Sequence, residues 1–196
     1  EIGISADAGT GEESTRYTVD FEELWKVNED IIAWIRFDEP SIISYPVVQG
    51  KDNQEYLDKT ISGYPNTYGA IFLNVSNNKD MTDKNSVIYG HRMNSKSMFG
   101  KLEEYQDEEF YRSYPYFYIY TPDGKELKYQ IFAVGEVNDT SDAYQTVFEN
   151  DEAFQSFLAF SKEHSFYDSG GEVPSDAKVV TLSTCTKANN EERLIV

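Results

Sequence analysis

From residue 41 onward the chain is punctuated by seven runs rich in β-branched and aromatic residues: SIISYPVVQG (41–50), GAIFLNV (69–75), SVIYGH (86–91), YFYIYT (116–121), LKYQIFAVGEV (127–137), KVVTLST (178–184) and RLIV (193–196). Branched and aromatic side chains fit a pleated, half-buried surface, and runs of this length bounded by turn residues read as strands. Many short strands in one chain restrict the fold to a barrel or a sandwich, here with helical insertions. Pro122, Asp123 and Gly124 lie between two of the runs and predict a hairpin turn. The 15 tyrosines and 12 phenylalanines supply the bulk for a packed β-rich core and argue against disorder.

Helical signals lie between these runs. In VDFEELWKVNEDIIAWIRF (19–37), Phe21, Leu24, Trp25, Asn28, Ile31, Ile32 and Ile35 fall at helical spacing behind Asp20, Glu22 and Glu23. An N-terminal helix is expected there. Short helical pieces are expected at DNQEYLDK (52–59) and SMFGKLEEY (97–105). A clearer helix occupies NDEAFQSFLAFSKEHSF, where Asn150 can cap, Asp151 and Glu152 suit the positive end, and Lys162 and His164 suit the negative end.

A chain of 196 residues is most simply one domain with room for a sizeable core. Residues 1–16 are polar and read as a flexible lead-in, leaving 17–196 as the folded unit. The chain starts at Glu1 rather than Met, which is read as a cut or processed end with room for an upstream signal or anchor. No stretch of 18 apolar residues spans a bilayer.

Composition narrows the partners. Seventeen basic residues against 35 acidic ones give a formal charge of −18. A nucleic-acid binder needs a basic footprint, and anionic lipid surfaces attract basic segments, so neither fits this chain. One cysteine and two distant histidines offer no metal-ligand spacing, and no cofactor is expected. The acidic runs EEYQDEE (103–109) and ENDE (149–152) lack the residue order of a calcium loop and read as solvated faces.

Cys185 is the single cysteine, so no internal disulfide can form. It stands at the end of a strand-like run and is either a small core hydrophobe or a nucleophile. In a secreted chain an unpaired cysteine reads as a free reactive thiol. A nucleophilic cysteine needs an acid or base, and only His91 and His164 are available. His164 ends a helix, where it compensates the dipole. His91 ends SVIYGH, where a strand end can face a groove. Arg193 opens the terminal run RLIV and offers five N–H donors to an oxyanion or a peptide carbonyl. Its other reading is a surface salt bridge with Glu191 or Glu192.

The set TLSTC (181–185), the following Arg193 and YGH (89–91) resembles the sortases. VNEDIIAWI (27–35), YPVVQGKDNQEYL (45–57) and the helix over 150–164 are similar to class B, and the resemblance spans roughly residues 17–196. It implies a mainly β fold: a closed eight-stranded barrel with an N-terminal helix and a further helix inserted between the sixth and seventh strands. It further implies an extracellular cysteine transpeptidase, N-terminally anchored in the membrane. Such an enzyme cuts sorting motifs of the LPxTG or NPxTN type after Thr and joins surface proteins to an amine. The acceptor is a peptidoglycan precursor or, in a pilus-building variant, a pilin lysine. On this resemblance Cys185 is the nucleophile, His91 the general acid/base and Arg193 the oxyanion or substrate-positioning group. Ser183, Thr184, Asn53 and Leu57 would line the substrate pocket. Some class B members carry an acid two residues after the cysteine; this chain has Lys187. A catalytically silent, peptide-binding barrel is the alternative from another class.

Overall fold

A computed structural model of the protein describes residues 4–7, 16–185 and 191–196, with the backbone alone for residues 5–7, 16 and 185. β1 (Ile4–Asp7), within the stretch read as a lead-in, pairs antiparallel with β2 (Arg16–Val19) at the start of the unit that follows. A one-turn helix α1 (Phe21–Trp25) follows, capped by Asp20, whose carboxylate accepts from the Glu23 amide at 3.0 Å.

The helix expected across 19–37 stops after this turn, and β3 (Ile31–Arg36) takes the rest. Asn28 ends it: its side-chain oxygen accepts from the Asp30 amide, and its amide group donates to Tyr56 and to the Ile61 carbonyl. A local side-chain acceptor of this kind competes with the helical ladder. The apolar spacing that mimicked a helix has a different cause. Every residue of β3 is buried, and a bulge between Ile31 and Ala33 shifts its register. Ile32, Ala33 and Ile35 join the main core, whereas Ile31 and Trp34 join a second cluster with Phe21, Leu24 and Tyr56. A strand covered on both faces has no polar side to reveal its period of two.

The remaining strands are β4 (Ser44–Val48), β5 (Ile71–Leu73), β6 (Asn85–His91), β7 (Tyr116–Tyr120), β8 (Glu126–Gln130), β9 (Gly135–Asn138), β10 (Val179–Cys185) and β11 (Glu192–Ile195). They form one sheet with β3, in the order β8-β7-β3-β4-β5-β6-β10-β11-β9. The two ends of that order belong to one continuous stretch of chain. β8 and β9 come from the single run expected at 127–137; its first half pairs with β7 and its second half with β11. The curled sheet thus closes on itself through a strand broken in the middle, and counting that strand once gives the eight-stranded barrel. The β7–β8 hairpin turns at Gly124, whose φ of +79° suits glycine.

The barrel interior holds Ile35, Val47, Ile71, Leu73, Ile88, Leu182 and Leu194. A 3-10 segment (Phe99–Gln106) adds Phe99, Leu102 and Tyr105 to the same core, and helix α2 (Glu108–Ser113) adds Tyr111. Helix α3 (Asp151–Glu163) lies in the connection from β9 to β10, between the sixth and seventh strands when the broken strand is counted once. Asn150 caps it by accepting from the Ala153 amide at 2.8 Å, and Phe154, Phe157 and Leu158 pack against Val179. The helical piece expected at 52–59 is instead a series of turns. Asp52 accepts from the Gln54 and Glu55 amides, and the segment turns back before a helical ladder develops.

Candidate active site

β6 and β10 run parallel, in a register that sets Cys185 opposite His91 and Ser183 opposite Tyr89. Neighbouring strands lie about 4.8 Å apart, so the backbones of the lone cysteine and of His91 are adjacent at the strand ends. Gly90 makes this possible. A Cβ there would meet Ile71 at 2.4 Å and Phe99 at 2.7 Å, so only glycine lets the strand lie this close to the core before His91 emerges.

His91 is held by the chain segment in front of it. Its Nε2 lies 2.6 Å from the Leu57 carbonyl oxygen. A carbonyl can only accept, so Nε2 carries the proton and Nδ1 is the nitrogen left for proton transfer. The segment that presents Leu57 is anchored by Tyr56, 1% exposed, which donates to Asp30 at 2.7 Å and accepts from Asn28 at 2.7 Å. Burial pushes this hydroxyl up to about 12, so it remains a donor at any working pH.

Gly69 completes the seat. Its φ is +57°, and a Cβ would stand 2.6 Å from the carbonyl oxygens of Leu57 and Tyr56 and 3.0 Å from the His91 ring. Gly69→Ala is therefore expected to cost about 1–3 kcal/mol and to displace the His91 ring. Thermal unfolding and the ring signals of His91 in NMR check this. An unchanged melt with unchanged ring shifts would contradict the strained seat.

Around His91 lies a cavity of about 320 Å³. The 52–59 turns contribute Asn53, Gln54 and Leu57 to its lining, and β5 and β6 contribute Phe72 and Tyr89. Ser183 and Arg193 line it from β10 and β11, and Asp139 and Tyr144 from the chain after β9. Tyr89 stacks on Phe72 at 5.1 Å and on Tyr144 at 6.1 Å, forming an aromatic wall. The Tyr144 and Ser183 hydroxyls lie 2.8 Å apart, and Tyr89 receives a hydrogen bond from Asn74. Two other cavities, of about 290 and 390 Å³, have neither histidine nor arginine in their lining. Size alone would not choose between the three; the chemistry of the lining does. Among the described residues no group of three His, Cys, Asp or Glu side chains is placed to hold a metal ion.

The structure gathers His91, Arg193, Ser183, Asn53 and Leu57 around one cavity and brings the backbone of Cys185 to it. Asn53 has a second task, accepting from the Val75 amide at 2.8 Å. Thr184 is fully buried and outside the lining. Its hydroxyl donates to the Leu194 carbonyl at 3.3 Å and accepts from the Leu194 amide at 3.2 Å, which joins β10 to β11. The alternation of side chains along a strand explains why Thr184 turns away where Ser183 faces the cavity. Arg193 pairs with Asp139, from the chain after β9, at 3.0 Å and also donates to the Glu192 carbonyl at 3.1 Å. Lys187 lies outside the described residues. His164 caps the C-terminal end of α3, exposed, with its ring stacked on Phe160 at 4.0 Å.

Sequence reading missed Asp139, Tyr144 and Gln54. Asp139 and Tyr144 sit in NDTSDAY, a polar stretch whose composition signals only a turn. Tyr89 was visible within YGH, but nothing in its spacing marks it as a cavity wall.

Comparison with known proteins places these observations. The family model described as Sortase domain matches residues 37–196. The chain is 34% identical over 180 residues to Sortase B of Staphylococcus aureus, spanning 90% of this chain and 72% of that protein. It is 33% identical over 189 residues to Sortase B of Listeria monocytogenes, spanning 95% and 75%. Among solved structures, a Staphylococcus aureus sortase B–substrate complex superposes with a TM-score of 0.84 at 32% identity, over 89% of this chain and 81% of that one.

Proposed function

Because this chain belongs to the sortase family, in its class B, we propose that it cleaves a C-terminal sorting motif of the LPxTG or NPxTN type after Thr and transfers the new carboxyl end to a cell-wall amine. The reaction runs through a thioacyl intermediate on Cys185. The observation that carries this reading is the β6–β10 register, which sets Cys185 opposite His91 while Arg193 lines the same cavity as His91.

A free thiol titrates near ~8.5, and a neighbouring imidazolium and guanidinium favour its thiolate. The thiolate attacks the carbonyl carbon of the Thr residue and the C=O bond becomes an oxyanion. Arg193, fixed in charge and rich in donors, stabilises that oxyanion or a neighbouring substrate carbonyl. His91 gives a proton to the departing amine as the C–N bond breaks; Nδ1 serves for this while Nε2 stays on Leu57. The incoming amine then attacks the thioester, His91 takes up its proton, and the thiolate leaves. Ser183, Asn53, Leu57 and the aromatic wall, which line the cavity, accommodate the peptide.

We place this activity on the outer face of the cell membrane, reached by an N-terminal anchor. Among the described residues no helix is long and apolar enough to cross a membrane.

The reading is tested with a panel of quenched sorting-motif peptides, assayed with and without peptidoglycan-type and lysine-type amines. Motif-dependent cleavage accelerated or redirected by an amine supports it; binding without turnover of any motif favours the silent barrel. Arg193→Lys should lower kcat on the order of 10²–10³-fold, since an ammonium cannot reproduce the planar fork. Near-normal kcat in that variant would show that charge alone suffices.

A further inference from the structure

We propose that Asp139 is a positioning residue that fixes the guanidinium of Arg193 at the cavity. This rests on the reading that Arg193 faces the substrate.

Asp139 Oδ2 accepts from Arg193 Nη2 at 3.0 Å, and Arg193 Nη1 donates to the Glu192 carbonyl at 3.1 Å. A long, flexible side chain is thereby held at its tip. The Asp139 backbone is itself held in place. Its backbone amide donates to the Glu191 carbonyl at 2.9 Å, next to the register pair of Glu192 with Asn138. Asn138 accepts from the Thr140 amide and hydroxyl, and its carbonyl accepts from the Ser141 amide. Further along, buried Asn85 of β6 donates to the Ala143 and Gln145 carbonyls, at 3.2 and 2.9 Å. Tyr144 meets Ser183 of β10. The chain from 138 to 145 is therefore tied to β6, β10 and β11, the strands that carry His91, Cys185 and Arg193.

A pair whose acid is 41% exposed contributes little to stability, because water screens it. Its effect is expected in geometry. Donors placed in advance where charge develops avoid reorganisation at the moment of reaction, and small misplacements are costly in rate.

The test uses the whole chain and two readouts. In the first, Asp139→Asn should lower kcat on the order of tenfold, with KM within about twofold and an unchanged melting temperature. Asp139→Glu, which keeps a carboxylate, should recover part of the loss. In an Arg193→Ala background Asp139→Asn should change nothing further, because the two residues act as one unit. In the second, the guanidinium signals of Arg193 in ¹⁵N NMR should be resolved in the unmodified protein and averaged in Asp139→Asn. This readout needs no substrate, so it judges the positioning claim even if no sorting peptide is turned over and the functional reading fails. Turnover by the unmodified protein with an unchanged or raised kcat in Asp139→Asn would overturn the proposal and leave the reading intact. Guanidinium signals indifferent to the substitution would overturn it as well.

Discussion

Cys185→Ala is expected to eliminate peptide cleavage and amine transfer, with a loss on the order of 10⁴-fold or more and little change in folding. The expectation follows from what the side chain is asked to do. The thiolate supplies the electron pair for the first bond, and no other cysteine exists to replace it. Arg193, His91 and the peptide-binding surface remain in the variant, so bound peptide should still shift the NMR signals of cavity residues such as Tyr89 and Tyr144. Strand pairing from Val179 to Cys185 is made by the backbone, and alanine preserves it. Turnover at a near-normal rate in Cys185→Ala would remove it as the nucleophile.

His91→Ala is the second large effect. Losing a general acid/base typically costs 10²–10⁴-fold (about 3–5 kcal/mol in barrier), whereas His164→Ala should leave turnover within about twofold. The two histidines differ in setting. His91 stands at a strand end beside Cys185 and lines the cavity, with Nε2 committed to the Leu57 carbonyl. His164 closes α3 and contacts Phe160. Parallel kinetics on both variants, with melting curves as a folding control, decide the assignment. Equal losses would undo it.

Much of the barrel could be read from the chain because its strands declare themselves through branched and aromatic residues between turns. SVIYGH and KVVTLST became β6 and β10, and the α3 cap fell on Asn150. The helix expected over 19–37 is realised only as α1, and the rest was misread for a physical reason: β3 is buried on both faces, which removes the polar alternation that marks a strand. The run 127–137 was legible as strand but not as a broken one. Its break lets a single stretch hydrogen-bond to both edges of the curled sheet, a tertiary requirement with no local signal.

The site shows the same division. His91, Ser183 and Arg193 end or begin recognisable strands, and their gathering around a cavity follows from sheet order. Thr184 was expected beside Ser183 in the pocket, yet adjacent strand residues face opposite ways and its hydroxyl joins β10 to β11. The acids next to Arg193 in sequence drew attention to Glu191 and Glu192, while one carboxylate partner, Asp139, comes from 54 positions away. A hydrogen-bonded strand, here β9, delivers a distant loop to the same place, and that pairing leaves no mark in the local sequence.

The central claim is a covalent bond between Cys185 and the Thr carbonyl of a sorting motif. Intact-protein mass spectrometry after brief mixing with a motif peptide, with no amine present, tests it most directly. An added mass equal to the peptide portion ending in Thr is expected, located on Cys185 by fragmentation, absent in Cys185→Ala and released by hydroxylamine or an added amine. Cleavage of the peptide without any adduct, or an adduct on a residue other than Cys185, would contradict it.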